Sequence, residues 1–357
     1  DASRDSEGFG HGQGYLYPHA YRDHWVAQQY LPDALQAKVF YQPSDQGYEA
    51  RVRDEVARRR EAQLAAMLEG EASAPAEVLT TSPSDRARDR WLERTVSAAG
   101  ARLASVRDAV VELARLQRHH VVLDVAAGTG LLAWEAVRRT PEGQVWAASD
   151  DPKHAAALRQ QALRLDALER PVVVDAAPSA VVAAVAALDP ALRFDRVLGR
   201  GALGARPEAD LRAWADLLRP DGAIVLAQTD GRRAQRLADL VDWSDDPALG
   251  ARVASAEDGL YADAETWDEP RWRALASAVE LRVDEVRELR ARGDQRIDPA
   301  AVERWFGTAA APGAYARALA SVLDAAGVED VARRYRRTFT GRVVAWQTTV
   351  VVARLGR

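Results

Sequence analysis

Residues 121–130 read VVLDVAAGTG, and LLAWEAVRR follows at once. The apolar run from Val121 to Val125, broken only by Asp124, has the length and β-branched content of a buried strand. Ala126 to Gly130 make a tight turn, with glycine at 128 and 130 and Thr129 between them. Glycine tolerates positive φ and lets a ligand approach the backbone closely. A helix starting at Leu131 presents free N–H groups beside that turn. About twenty residues past Gly130 a second apolar run, QVWAAS, ends at Asp150, where a carboxylate can accept both hydroxyls of a ribose. Together these predict a nucleoside-binding crevice. A dinucleotide would want a third glycine where Ala133 stands, and alanine could substitute. Asp124, four residues before Gly128, would repel a pyrophosphate.

The same grammar extends outward. A helical stretch near 86–117 precedes the first strand. TPEG turns the chain into QVWAAS, and Pro152 opens another helix. PVVVD (171–175) and FDRVLG (194–199) read as the third and fourth strands, and RPDGAIVLAQ as a turn and a fifth. Strands alternating with helices imply a parallel sheet with helices on both faces. The end differs. VELRVDEVREL (279–289) and GRVVAWQTTVVVARL (341–355) are two further strands with a long helical insertion between them, which predicts an antiparallel hairpin at the sheet edge.

VVLDVAAGTG, ASDD, VVVDA, FDRVLGRGAL and LRPDGAIVLAQ, in this order and spacing, resemble the class I S-adenosylmethionine-dependent methyltransferases over residues from about 86 to 357. The resemblance implies a Rossmann-like α/β fold with a mostly parallel seven-stranded sheet and an antiparallel edge hairpin. It implies S-adenosylmethionine as cofactor. The glycine turn, Ala126, Gly128, Thr129 and Gly130, would hold the methionine and ribose portion. Asp150 would bind the ribose and Asp175 the adenine amino group. Asp124 matches the family's first-strand acid, and Gly199 joins the cofactor-binding set. Each acid has a plainer reading. Asp150 could cap the helix ahead of Pro152, with Asp151 as competing ribose ligand, and Asp175 could cap the helix near Ser179. No catalytic residue is assigned. The Asn/Asp-Pro-Pro-aromatic motif of base amino-methylating enzymes is replaced by GRGALG (199–204), where Arg200 could face an acceptor or be solvated or paired.

Composition narrows the classes. The chain has 357 residues, 48% apolar, with a net charge of -5 and no Cys. That length favours two domains. The charge gives no electrostatic reason for this chain alone to bind nucleic acid. Disulfides, thiolate zinc sites and Cys nucleophiles are excluded. No apolar run approaches the roughly 20 residues of a membrane span. A cytoplasmic location without membrane contact is expected.

The first 48 residues differ in chemistry. GYLYPHAYRDHWVAQQYLP (14–32) holds five aromatics, two His and two Pro. His11, His19 and His24 lack the fixed spacing of a metal site, and no metal is expected. The aromatics could stack on bases, but no basic patch accompanies them. G-Y-x-Y-P-H, W-V-A-Q-Q-Y-L-P and F-Y-x-P-x-D-x-G-Y-E resemble the carboxyl-terminal tail of replication-associated recombination protein A, over residues 1 to about 69. That family comprises AAA+ ATPases acting at stalled replication forks, in which the tail lies against a helical assembly domain.

The P-loop G-x-x-x-x-G-K-[ST] is missing here. The resemblance therefore implies a carboxyl-terminal piece of a longer fusion. It has the tail (1–69, with a helix over 49–69 and an i,i+4 pair Glu55–Arg59), a linker (70–85, GEASAPAEVLTTSPSD) and the methyltransferase-like domain (86–357). Its partners would be the upstream ATPase and helical assembly domain, copies of itself in a homo-oligomer, and fork DNA only through the full-length protein. Residues 1–48 are expected to order only by docking. Two functions are carried forward, a methyltransferase and a catalytically inactive scaffold or interaction module of the ATPase, with an NAD-dependent oxidoreductase behind them.

Overall fold

The computed structural model describes residues 43, 46–73, 86–262, 264–297, 299–307, 312–340 and 342–357. The histidines and aromatics singled out in the first 42 residues lie outside these. By compactness the chain falls into two units, Asp1–Ala104 and Ser105–Arg357. In the first, helix α1 (Gly47–Ser73) runs past 69 to Ser73. Arg59 Nε donates to Glu55 Oε1 at 2.8 Å, the expected i,i+4 pair. Helix α2 (Arg86–Ala114) crosses the boundary between the units.

The second unit is built on one seven-stranded sheet. Strands β1 (Val121–Asp124), β2 (Gln144–Ser149), β3 (Val172–Asp175), β4 (Phe194–Arg200), β5 (Leu218–Thr229), β6 (Arg282–Arg296) and β7 (Val343–Gly356) lie in the order β3-β2-β1-β4-β5-β7-β6. The pairs among β1 to β5 are parallel, and β7 inserts antiparallel between β5 and β6. This is the mostly parallel sheet with an antiparallel edge pair expected from sequence.

Alternation along the strands sorts side chains to two faces. Leu123, Val125, Val197, Ile224, Leu226 and Val351 face one core with Trp214 and Trp272. These two indoles come from α6 (Pro207–Ala215) and α8 (Glu269–Ala278). Val122, Ala147, Leu198, Val225, Ala227 and Val352 face the other, with Val110, Leu132 and Leu158. Those come from α2, α3 (Leu131–Arg139) and α4 (Pro152–Ala162). Helix α5 (Val181–Leu188) covers β3 on the first face.

Strands β6 and β7 outrun their neighbours. Register from Arg290↔Thr349 to Arg296↔Val343 continues beyond Thr229↔Val350, where β5 stops. These seven pairs form a two-stranded ribbon that leaves the carboxyl edge of the parallel strands for about 20 Å. Between its strands come α9 (Pro299–Phe306), α10 (Ala314–Ala320) and α11 (Ala325–Phe339), the expected helical insertion. With α7 (Pro247–Leu260) they enclose a separate core of Val253, Phe306, Tyr315, Leu319, Tyr335 and Phe339. Val344 and Trp346 of the ribbon pack against it.

Candidate functional site

β1 and β4 are parallel neighbours, and the chain leaves β1 for β2 on one side and β4 for β5 on the other; such a switch point opens a crevice above the strand ends. The stretch 121–130 ends there. Gly128 has φ +52° and Gly130 φ +97°, both in the region that disfavours a Cβ. The two glycines serve different ends. A Cβ on Gly128 would meet nothing within 4 Å, so the space above it is open. A Cβ on Gly130 would fall 2.3 Å from Trp134 Nε1 and 2.7 Å from Leu158. Gly130 thus lets the Trp134 indole and α4 close on the turn. Ala127 N donates to Ala148 O at 2.8 Å, which pins the turn to β2.

Below the turn sits Asp124, with no exposed surface. Its Oδ1 accepts from Ala126 N at 3.2 Å. Its Oδ2 is buried without a partner, and so is Trp134 Nε1. Burial pushes the carboxyl up to about 7, against the opposing pull of the Ala126 N–H, the Arg200 charge and the Ala133 N–H. The comparison with the other buried acids among the described residues is informative. Glu135 accepts from Arg138 and Arg139 at 3.0 and 2.9 Å. Asp230 accepts from Arg233 N at 2.9 Å, Arg233 Nε at 2.9 Å and Trp267 N at 3.0 Å. Glu257 accepts from Leu237 N at 2.6 Å and Ala238 N at 2.9 Å. Each of these has both oxygens satisfied. Asp124 does not.

At the end of β2 the two adjacent acids divide the work. Asp151 is the N-cap of α4, accepting from Lys153 N at 2.7 Å, and that bond holds its carboxyl below the usual range. Asp150 is exposed and is not the cap. The capping alternative therefore falls to Asp151 and leaves Asp150 facing solvent at the strand end.

Asp175 is exposed at the end of β3, and it caps nothing: the short 3-10 turn Pro178–Ala180 has no side-chain cap. Its partner is Arg159 of α4, whose NH1 and NH2 donate to the two carboxylate oxygens at 3.0 and 2.6 Å. The same NH2 donates to Val173 O at 3.2 Å. Gly199 is a packing glycine. A Cβ there would lie 2.9 Å from Ala202 and from Val125, so close approach of β4 to β1 requires it. The structure thus gathers Asp124, the turn from Ala126 to Gly130 and Asp150 at neighbouring strand ends. Asp175 lies one strand further out, engaged with Arg159, and Gly199 lies within the packed sheet.

Three participants escaped sequence reasoning. Arg159 and Trp134 read as ordinary helix residues. Gln228 read as the end of an apolar strand, yet it is 4% exposed with its Nε2 unpartnered, on β5 just beyond the last β4 pair. The only signal was a polar residue closing the run AIVLA. Among the described residues no group of acids and histidines is placed to hold a metal, and no helix is long and apolar enough to cross a membrane.

Comparison with known proteins addresses the two ends of the chain separately. The chain is similar in fold to solved structures of two cyclopropane synthases and a methyltransferase. Mycolic acid cyclopropane synthase CmaA1 complexed with SAH and CTAB is 15% identical over 73% of this chain and 85% of that one, with a TM-score of 0.41. The cyclopropane synthase MmaA2 from Mycobacterium tuberculosis is 15% identical over 74% and 86%, TM-score 0.40. Precorrin-6y C5,15-methyltransferase from Geobacter metallireducens GS-15 is 17% identical over 70% and 87%, TM-score 0.37. The fold itself rests on the strand order and register above. At the other end, replication-associated recombination protein A of Bacillus subtilis (strain 168) is 46% identical over 44 residues, 12% of this chain. The match spans only 10% of that relative's length. Residues 1–60 match the family model described as MgsA AAA+ ATPase C terminal. The chain therefore joins a segment similar to the carboxyl terminus of MgsA-type AAA+ ATPases to a Rossmann-like α/β domain built on a mostly parallel seven-stranded sheet.

Proposed function

We propose that the second unit binds S-adenosylmethionine at the β1–β2 strand ends and transfers its methyl group to an acceptor, as part of a protein that also carries a replication-associated AAA+ ATPase. The observation that carries this reading is the unpartnered Asp124 Oδ2 buried beneath a glycine turn whose upper side is open. A native fold rarely leaves such an oxygen without a partner unless a ligand or water completes it. The cofactor's chemistry fits the residues present. Asp150 would take the ribose hydroxyls, the turn from Ala126 to Gly130 would lie along the amino-acid portion, and Asp124 would face its cationic end. When bound, the cofactor supplies an electrophilic methyl. The chain's own part is to orient it and exclude water at the strand ends.

A second reading, an inactive scaffold of the ATPase, is favoured by one observation: both oxygens of Asp175 are held by Arg159 rather than left for an adenine. Calorimetry with S-adenosylmethionine, S-adenosylhomocysteine and NAD separates the readings. The methyltransferase reading expects the two adenosyl ligands to bind and NAD not to. Asp150→Ala should then weaken S-adenosylhomocysteine about tenfold or more, because charge-assisted hydrogen bonds are lost. Gly128→Val should weaken it further by filling the open space. No binding at millimolar ligand, with both variants only lowering the melting temperature, establishes the scaffold.

A further inference from the structure

We infer that the sheet face opposite α3 and α4 carries a second ligand site at the end of β5, where the Gln228 side-chain amide donates to the carbonyl oxygen of an uncharged molecule. Naming that molecule as the methyl acceptor rests on the methyltransferase reading, whereas the site itself does not. The orphaned buried polar atoms among the described residues fall into groups. Asp124 Oδ2 and Trp134 Nε1 lie at the glycine turn, and Arg107 Nη1 belongs to α2. The other two, Gln228 Nε2 and Trp272 Nε1, are both donors, and both belong to the other face of the sheet. The face of Gln228 follows from its pairing. It stands opposite Val351, which packs in the first sheet core with Trp272 and with Leu226, two residues before Gln228. Native folds rarely leave such buried donors unmet unless a ligand or water completes them.

The backbone leaves room beside Gln228. β4 pairs with β5 only as far as Arg200↔Ala227, and Gly201 N donates to Ala227 O at 2.8 Å as the chain turns away. Gln228 is thus the first residue of β5 beyond the β4 ladder. Gly201 has φ +60°, and a Cβ on it would meet nothing within 4 Å. The next residue, Ala202, packs into the first core. The other wall is aromatic and held in place. Asp230, two residues beyond Gln228, accepts from Trp267 N at 3.0 Å, and the Trp267 indole lies 5.1 Å from that of Trp272. An amide and an indole N–H between apolar walls make a neutral donor set. The charges on this side are already matched, Arg233 by Asp230 and Glu288 and Arg290 by Glu288. Arg200 falls on the opposite face, two residues past Leu198. A carboxylate ligand would stand near Asp230 with Arg233 already taken. A neutral carbonyl meets the donors without that penalty, and a site built on such donors rejects the analogue that lacks the oxygen.

The test uses the whole isotope-labelled chain and three probes of similar size. Benzamide offers a neutral carbonyl, benzoate adds a charge, and toluene has neither. The side-chain amide resonances of Gln228, assigned by their loss in Gln228→Leu, are followed by NMR as each probe is titrated into the millimolar range. The expected result is saturable benzamide binding that moves the Gln228 amide protons downfield, with benzoate and toluene at least about tenfold weaker. Gln228→Leu should weaken benzamide about tenfold or more, and should change S-adenosylhomocysteine affinity less than about twofold because the turn lies on other strands. Gln228→Met, closer in shape, serves if the leucine variant does not fold. Benzamide binding that survives these substitutions, toluene binding as tight as benzamide, or no saturable shift with any probe overturns the inference. A higher melting temperature for Gln228→Leu together with no probe binding identifies the amide as an unpaired core group only. S-Adenosylhomocysteine titrated into the same chain reports on the adenosyl reading separately. Benzamide bound without the adenosyl ligand keeps this site and removes methyl transfer, and the reverse removes this site and leaves the adenosyl reading standing.

Discussion

Asp124 holds its proton up to about pH 7 because burial disfavours the charged form, whereas in an unfolded chain it would lose it near pH 3.8. Between those values the native state binds the extra proton, so stability falls as pH rises, and the loss is complete above pH 7. Asp124→Asn removes the buried charge. It should therefore raise the melting temperature at pH 8, by roughly 1–3 kcal/mol of stability, and progressively less toward pH 4. Thermal melts across pH check this, and an equal effect at pH 4.5 and pH 8 would sink it. The same scale separates the two glycines. Gly130 is demanded by the Trp134 indole and α4, Gly128 by φ alone, and only the second leaves room for a ligand.

Element ends are where this fold invests its arginines. Arg196 of β4 donates to Ala114 O at 2.6 Å, and Arg354 of β7 donates to Leu113 O at 2.8 Å. Both satisfy carbonyls at the C-terminus of α2, where positive charge also complements the helix dipole. Arg159 does comparable work at the outer strand. It covers Val173 O of β3, the last strand on its side of the sheet, and grips Asp175 beside it. Charged cover of this sort discourages pairing with another strand. It also competes with any ligand for Asp175. Arg159→Ala should tighten S-adenosylhomocysteine severalfold if Asp175 takes the adenine amino group, and should leave affinity unchanged if Asp175 serves only the edge. Titration of this variant against the unmodified chain decides between them, whereas weakened binding would mean that Arg159 positions the carboxylate.

On the scale of the whole second unit, two sheet cores and one helical core are joined by the β6–β7 ribbon. Phe339 is fully buried in the helical core, edge-on to Trp305 at 6.1 Å and to Tyr335 at 5.2 Å. Phe339→Ala should cost about 3–5 kcal/mol in chemical denaturation, yet change adenosyl-ligand affinity less than twofold, because the residue lies in the helical core and the turn lies on the sheet. A tenfold loss of affinity would instead mean that the helical core shapes the nucleoside site. By itself the sequence determined the kind and order of the elements. Strand alternation, helical period and glycine or proline punctuation are local, and each is written within a few residues of where it acts. It also placed Gly128, Gly130, Asp124 and Asp150 at strand ends. Tertiary structure alone decided the rest. β6 runs on to Arg296 rather than stopping near 289 because β7 supplies a partner for each added residue. Asp151 caps α4 because it directly precedes Pro152, the first helical residue, and its extended backbone turns the carboxylate toward Lys153 N. Asp175 is engaged by an arginine sixteen positions earlier, and Asp124 is left with a free oxygen, because burial and choice of partner depend on side chains that reach a position from distant parts of the chain, which no local pattern encodes.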